Sequence, residues 1–304
     1  MQKKILVFLS LFFITCVIII IMIFFEIKNY PVGGSLGGVF AGIIIPVVFE
    51  KFTDLVMDTT NWKTSQRKLQ RGKIICKDTI IRISFSYLFR IKINGKYFLV
   101  KNARGTEKFQ PVGGVYKFYT EEFEYLLRNF YCENDNKILI DECSKLDYRL
   151  RLKNRYLRKF VKRFNKTSKR ENINNLSREF VEEIFETGTS NDKNNFGLLT
   201  YVYCGQDITD VKFSNYFQCY ELLIADIVEV QLTNDQEKFF IELVQMEPEK
   251  YILVSDEYIK SLGVGFGSLK VKISDHTSKI LSENEEQLII NKGYDKKKKY
   301  TIEL

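Results

Sequence analysis

Ile5 to Phe25 is apolar almost without a break, interrupted only by Ser10, Thr15 and Cys16. About 20 such residues span a bilayer as a helix. A cleaved signal peptide fits poorly, because the run exceeds a typical apolar signal core and no Ala-x-Ala-like site follows. A second apolar run, Val32 to Phe49, begins after only Glu26-Ile-Lys-Asn-Tyr-Pro31. So short a link predicts a transmembrane helical hairpin over residues 1–49 with both ends on one side. Lys3 and Lys4 flank the first run, and Lys51, Lys63, Arg67 and Lys68 follow the second. The connecting loop carries one lysine and one glutamate. The positive-inside rule therefore predicts that both termini, and everything after Phe49, are cytoplasmic.

Within the second run, Gly34, Gly38 and Gly42 recur every four residues, beside a row of Gly33, Gly37 and Ala41. Small residues at this spacing let helix backbones approach closely in lipid. The stripe fits packing against the first helix or packing between subunits, and both readings stay open. Pro46 is placed to kink the end of this helix.

Residues 50–77 read as a basic, helix-prone juxtamembrane linker, and 78–304 as a separate domain. The net charge of +8 is concentrated at 63–77 and 145–170, which suggests phosphate-bearing partners, whether lipid headgroups or nucleotides. The six cysteines (Cys16, Cys76, Cys132, Cys143, Cys204 and Cys219) show no CxxC or CxxH spacing, so neither a zinc site nor a disulfide framework is signalled. The single histidine, His276, has no nucleophile arranged near it in sequence and reads as structural.

From Thr79 the pattern turns β-rich. Asn94-Gly95, flanked by alternating apolar residues, predicts a hairpin of strands near 87–93 and 96–101. Helices are expected over 120–131 and 145–166. Twelve lysines and arginines lie between Lys145 and Arg170 against Asp147 alone, more than i,i+4 pairing absorbs, which favours a phosphate-contacting face. Strands follow at Leu198–Tyr203, Tyr216–Ile224, Ile227–Leu232 and Tyr251–Val254, with helices at Asp235–Val244 and Asp256–Leu262. Gly263 to Gly267 reads as a turn.

Residues 175–188 read Asn-Leu-Ser-Arg-Glu-Phe-Val-Glu-Glu-Ile-Phe-Glu-Thr-Gly, with Ser177 as the expected N-cap. At about 100° per residue, Glu179, Glu182, Glu183 and Glu186 share one face and Phe180, Val181, Ile184 and Phe185 the other. Clustered carboxylates of this kind suit a hard cation such as magnesium, although any amphipathic helix presents a similar face.

The strand hairpin, the loop ending in Phe109-Gln-Pro-Val-Gly-Gly114, and Arg178-Glu-Phe-Val-Glu-Glu183 together resemble a Nudix domain over about residues 79–262. The family box reads G-x5-E-x7-R-E-U-x-E-E-x-G-U. Here Gly114 lies 64 residues before Arg178, with a basic helical insertion near 115–172 between them. Arg170 stands where the box has its first glutamate, Glu171 is its neighbour, and Phe185 follows the glutamate pair where the family leads to glycine.

With a membrane hairpin attached, the chain resembles the SMODS-associated Nudix domains of bacterial CBASS antiphage systems, in membrane-hairpin effectors. The resemblance implies an α/β Nudix-like fold, a mixed sheet flanked by helices. It further implies binding of a cyclic oligonucleotide made by a partner synthase, then homo-oligomerisation and disruption of the inner membrane. Ligand contacts are expected from Arg104, Lys108, Gln110, Gly113 and Gly114, and helix packing from Gly34, Gly38 and Gly42. The alternative is a membrane-anchored Nudix hydrolase of nucleoside diphosphate derivatives. In that reading Glu182 and Glu183 hold Mg2+, Glu179 is the base or a further ligand, and Arg178 orients the acids.

Overall fold

The computed structural model describes residues 2–28, 31–56, 62–102, 106–135, 144–186, 193–264, 271–282, 288–289, 294 and 298–304. It divides into two compact units, Met1–Lys68 and Leu69–Leu304.

The first unit holds α1 (Gln2–Ile27) and α2 (Pro31–Val56), and α3 (Trp62–Arg71) runs across the division. The first two helices lie antiparallel, with the Phe8 and Phe52 ring centroids 5.8 Å apart. In water a helix this apolar would be buried, yet Leu6, Phe13 and Ile20 are 68%, 69% and 66% exposed. The segment Leu6–Phe25 is long and apolar enough to cross a membrane. Its polar interruption at Thr15 is satisfied internally, since the hydroxyl donates to the Leu11 carbonyl at 2.8 Å. Lipid requires such internal pairing. Helix α2 contains Pro46 and continues past Phe49 through Glu50, Lys51 and Asp54 to Val56. Ala41 is buried, whereas Gly38 and Gly42 are exposed, and a Cβ at either glycine would meet nothing within 4 Å. Gly34 lies on the same row, with its surroundings outside the described residues.

The second unit runs β1 (Ile80–Arg90), β2 (Lys92–Ile93), β3 (Lys96–Lys101), β4 (Lys108–Gln110), β5 (Gly113–Val115), α4 (Thr120–Phe130), β6 (Glu133–Asn134), β7 (Arg149–Lys153) and α5 (Leu157–Phe164). It continues with α6 (Ser177–Val181), α7 (Lys193–Phe196), β8 (Leu199–Ile208), β9 (Lys212–Ser214), β10 (Cys219–Val230), α8 (Asn234–Met246), β11 (Tyr251–Val254), α9 (Asp256–Lys260), β12 (Lys272–Ile273) and β13 (Lys299–Ile302). Two sheets form where the sequence suggested one. The larger is ordered β13-β8-β10-β1-β7-β6, with β5 also on β1 and β9 on β10. The smaller is β11-β3-β4-β12, with β2 on β3. The long β1 and β10 run parallel at the centre of the larger sheet.

Alternation along β1 assigns its two faces. Leu88 enters a core with Ala225 and Ile227 of the larger sheet and Leu99, Phe109 and Ile252 of the smaller. Phe85, Tyr87 and Phe89 point the other way. There Phe164 of α5 stacks on Phe85 at 3.7 Å, and Phe180 of α6 meets Phe89 at 5.3 Å. This aromatic stripe seats the glutamate-bearing helix.

The hairpin forms at Asn94-Gly95, whose φ values of 50° and 77° satisfy a turn with two left-handed residues. Three expectations are corrected. The helix placed at 145–166 begins as strand β7, because Arg149-Leu-Arg-Leu-Lys153 alternates with period two and buries Leu150 and Leu152. Only Leu157–Phe164 is α-helical, after a 3-10 turn at Asn154–Tyr156. The two strands placed at 216–224 and 227–232 are one strand, β10, with a register shift at Ile227/Val228. Ser177 does not cap α6; it is the first helical residue, follows Leu176, and donates to Asn175 Oδ1 at 3.0 Å. Gly263 does turn the chain, at φ 82°, while 265–267 lie outside the described residues.

Candidate functional site

The glutamate helix lies against the Gly-Gly strand. Strand β5 pairs with β1 in the register Leu88↔Gly113 and Tyr87↔Gly114. Gly113 has φ 147°, and a Cβ there would stand 2.2 Å from the Tyr87 carbonyl oxygen. A Cβ on Gly114 would stand 2.0 Å from Glu179 Oε1. The pair of glycines is thus what lets β5 lie flat between β1 and the carboxylates.

Arg178 is the hub. Its Nε donates to Glu171 Oε1 at 2.8 Å, Nη1 to Glu179 Oε1 at 2.6 Å, and Nη2 to the Val115 carbonyl at 2.9 Å. Glu182 Oε1 lies 3.8 Å away. Glu171 in turn accepts the Lys117 backbone N–H at 2.9 Å. Box spacing pointed to position 170, where Arg170 stands. The structure instead sends Arg170 into the core, against the Phe164 ring at 3.8 Å, and brings Glu171 to Arg178. The basic insertion separates the two halves of the box in sequence, so only the return of the chain reveals this partner. Its signal was an acid one residue off register.

Beyond Val181 the helix widens into a π-helical turn, Glu182–Glu186. That turn changes the phase of the helical wheel. The apolar residues Phe180, Val181, Ile184 and Phe185 are buried as expected, but the carboxylates do not all face outward. Glu186 is exposed, whereas Glu183 Oε2 accepts the Gly113 N–H at 2.8 Å and Oε1 faces Gln110 Nε2 at 3.4 Å. Burial pushes the Glu183 carboxyl up to about 8, aided by the charges of Glu179 and Glu182 and opposed by the Gly113 and Gln110 donors. Burial also raises Glu179, and Arg178 holds that rise in check.

Magnesium needs several oxygens converging on one point. Among the described residues no three acidic, histidine or cysteine side chains do so. Glu179 is bound to Arg178 and Glu183 to Gly113, so the carboxylates as arranged do not fit the ion, and no step is derived through it.

Of the other expected contacts, Gln110 bridges Asn102 Nδ2, 2.6 Å away, and Glu183. Lys108 lies two residues back on the same face of β4, with Phe109 buried opposite. Its ammonium is 3.9 Å from Asp275 and its side chain 41% exposed, which leaves it accessible to an anion. Arg104 lies outside the described residues. His276 is pushed down to about 4 by burial and by Lys279, as a structural histidine would be.

The buried carboxyl carries a pH signature. Glu183 keeps a proton in the folded chain up to about pH 8 but loses it near 4.5 when unfolded. The folded state therefore binds more protons between those values, and stability falls as pH rises through that window. Glu183→Gln removes this loss. Its stability relative to the parent should be flat below pH 4.5 and rise to about 2–4 kcal/mol by pH 8. Urea titrations of both proteins at several pH values measure the difference, and parallel curves would refute the assignment.

A protein-family comparison places this geometry. The model described as the SMODS-associated NUDIX domain matches residues 80–281. That span runs from the start of β1 to the 3-10 turn at Asp275–Leu281 and includes Gly113-Gly114, Glu171, and Arg178 to Glu183. Among curated proteins nothing matches the chain. With the family model covering about two thirds of its length, and with the two glycines, the arginine hub and the glutamate helix assembled on one strand, the chain belongs to the SMODS-associated NUDIX domain family.

Proposed function

We propose that the chain is a membrane-bound effector of a bacterial CBASS antiphage system. Its Nudix domain senses a cyclic oligonucleotide made by a partner synthase, and the activated chains oligomerise and disrupt the inner membrane. One observation carries this reading. A helix fit for the bilayer and a Nudix domain whose carboxylates are tied to the protein's own donors belong to one chain. Glutamates held this way serve the shape of a binding site better than turnover.

In this reading α2 is the second pass. It follows α1 after a short link and lies antiparallel to it, and the flanking lysines and arginines keep both termini and the Nudix domain cytoplasmic. The glycine row supports assembly between copies rather than closure of the hairpin. Ala41 is buried, while Gly38 and Gly42 face outward with room around them.

Ligand phosphate is met by Lys108, with Arg104, Gln110 and the Gly113-Gly114 backbone completing the site. Charge-assisted bonds to phosphate contribute about 1.5–3 kcal/mol. Lys108→Ala should therefore weaken binding at least about tenfold. Calorimetry on the full chain in nanodiscs, with a panel of cyclic di- and trinucleotides, measures this. Unchanged affinity would move the site away from β4. Rapid metal-dependent cleavage of nucleoside diphosphate derivatives by the same preparation would favour the membrane-anchored hydrolase.

A further inference from the structure

Most of the basic residues between Lys145 and Arg170 have a partner within the domain, some of them at its surface. Arg149 pairs with Asp147, Arg151 with Asp135, Lys153 and Arg155 with Asp78, Arg163 with Glu122, and Lys169 with Glu121. Arg170 donates to the Tyr294 hydroxyl. Lys159, Lys162 and Lys166 are different. All three are exposed, and none pairs with an acidic side chain among the described residues. Spaced three and four apart, they form one stripe along α5 and just past its end, opposite the buried Leu157, Phe160, Val161 and Phe164.

Tyrosines frame this stripe. The Arg163 guanidinium lies 4.0 Å over the Tyr125 ring, and Tyr156 stands 6.0 Å from Tyr131, itself 66% exposed. Lysines interleaved with tyrosines, each ring with an apolar body and a polar tip, suit a membrane–water boundary. The segment that joins the domain to the preceding helix runs beside the 3-10 turn that leads into α5. Arg155 N–H donates to the Lys77 carbonyl at 3.0 Å and Asn154 Nδ2 to the Cys76 carbonyl at 2.9 Å. On that segment Ile74 is 59% exposed. Twelve residues separate Val56 from Leu69, and seven of them, 62–68, belong to α3, so the connection reaches at most about 30 Å.

We propose that the outer face of α5, with Lys159, Lys162, Lys166, Tyr131 and Tyr156, docks on the anionic phospholipid headgroups of the membrane that α1 enters. The inference rests on the membrane reading above. A nucleic acid would also complement the charge, but attachment to a helix fit for the bilayer keeps lipid at an effective concentration that a free strand does not match. The attraction is electrostatic, so salt screens it over about 10 Å at 0.1 M.

The test uses the full chain in nanodiscs of neutral phosphatidylcholine and in nanodiscs containing phosphatidylglycerol. Lysine acylation is followed residue by residue, with exposed Lys299 as the internal reference. Lys159, Lys162 and Lys166 should react at least about threefold more slowly on the anionic discs, and about 1 M salt, where screening is complete within about 3 Å, should restore the rate. Equal rates on both discs, with the chain co-eluting with each, would overturn the docking and leave the membrane reading intact. Failure to co-elute with either disc would overturn both. Protection by an added single-stranded oligonucleotide on neutral discs, without protection by anionic lipid, would assign the face to nucleic acid and overturn the lipid.

Discussion

Gly113→Ala is expected to destabilise the Nudix domain by about 3–5 kcal/mol, enough to unfold a marginal domain. Two costs combine. At φ 147° an L side chain is strained, and the new Cβ would stand 2.2 Å from the Tyr87 carbonyl oxygen and 3.0 Å from Leu88 Cα. Both neighbours are backbone within β1, which cannot rotate aside. Relief requires β5 to lift, and lifting it breaks the Gly113 N–H bond to Glu183 and leaves a partly buried carboxyl without its best donor. Gly95→Ala is the control. Gly95 also has a positive φ, 77°, but a Cβ there meets nothing within 4 Å, so a loss of only about 1 kcal/mol is expected. Denaturant titration of the two variants separates the cases. If Gly113→Ala costs no more than Gly95→Ala, the flat apposition of β5 on β1 is not what the glycine serves.

On the proposed function, Gly38→Leu should leave insertion and ligand binding intact while abolishing ligand-dependent leakage of liposomes. Leucine keeps the span apolar. Its side chain enters open space beside α2, so the contact between α1 and α2 stays as it is. Between copies, however, a glycine row works only because backbones approach closely, and a leucine holds them apart. Ala41→Leu makes the complementary change, because Ala41 is buried and a larger side chain there strains the hairpin itself. Dye release and crosslinking on the same samples report assembly and its consequence together. Leakage and ligand-dependent oligomers at the parent level in Gly38→Leu would leave assembly to the Nudix domains.

Where a local rule decides the structure, the sequence was readable. Asn94-Gly95 between two alternating runs forms the expected turn, and the helix expected at Asp235–Val244 forms as α8 (Asn234–Met246). The inward face of Arg178 to Phe185 followed from spacing alone. Four features were hidden for physical reasons. The leucines of β7 also fit a helical repeat when read onward into α5, so periods of two and 3.6 overlapped there. Asp226 looked like a break between two strands. It is instead fully buried within β10, where Tyr116 donates to it at 2.7 Å and Gln206 at 3.0 Å, and those partners come from distant segments. The π-helical turn at Glu182–Glu186 leaves no periodic signature, so the inward rotation of Glu183 was invisible. Glu171 needed the fold itself, because its partner Arg178 belongs to the far side of a long interruption.

That interruption leaves and rejoins the domain at one point. Lys117 and Glu171 exchange backbone and side-chain hydrogen bonds at 2.9 Å, and Tyr119 N–H reaches the Lys169 carbonyl at 3.0 Å. Because its ends already touch, a segment of this length adds little closure entropy to the surrounding fold, and on topological grounds it could be replaced by a tight turn. Its own strand forbids so simple an excision. β5 covers β1 only at Ser86–Leu88, and β7 covers the rest of that side from Ile80 to Ser84. A shortened chain would present bare N–H and C=O groups along half of a central strand, an open template for other chains. The insertion is therefore a graft that has become a wall. A minimal version of this domain will stay soluble only if something else, whether a designed strand or a second copy, takes the place of β7.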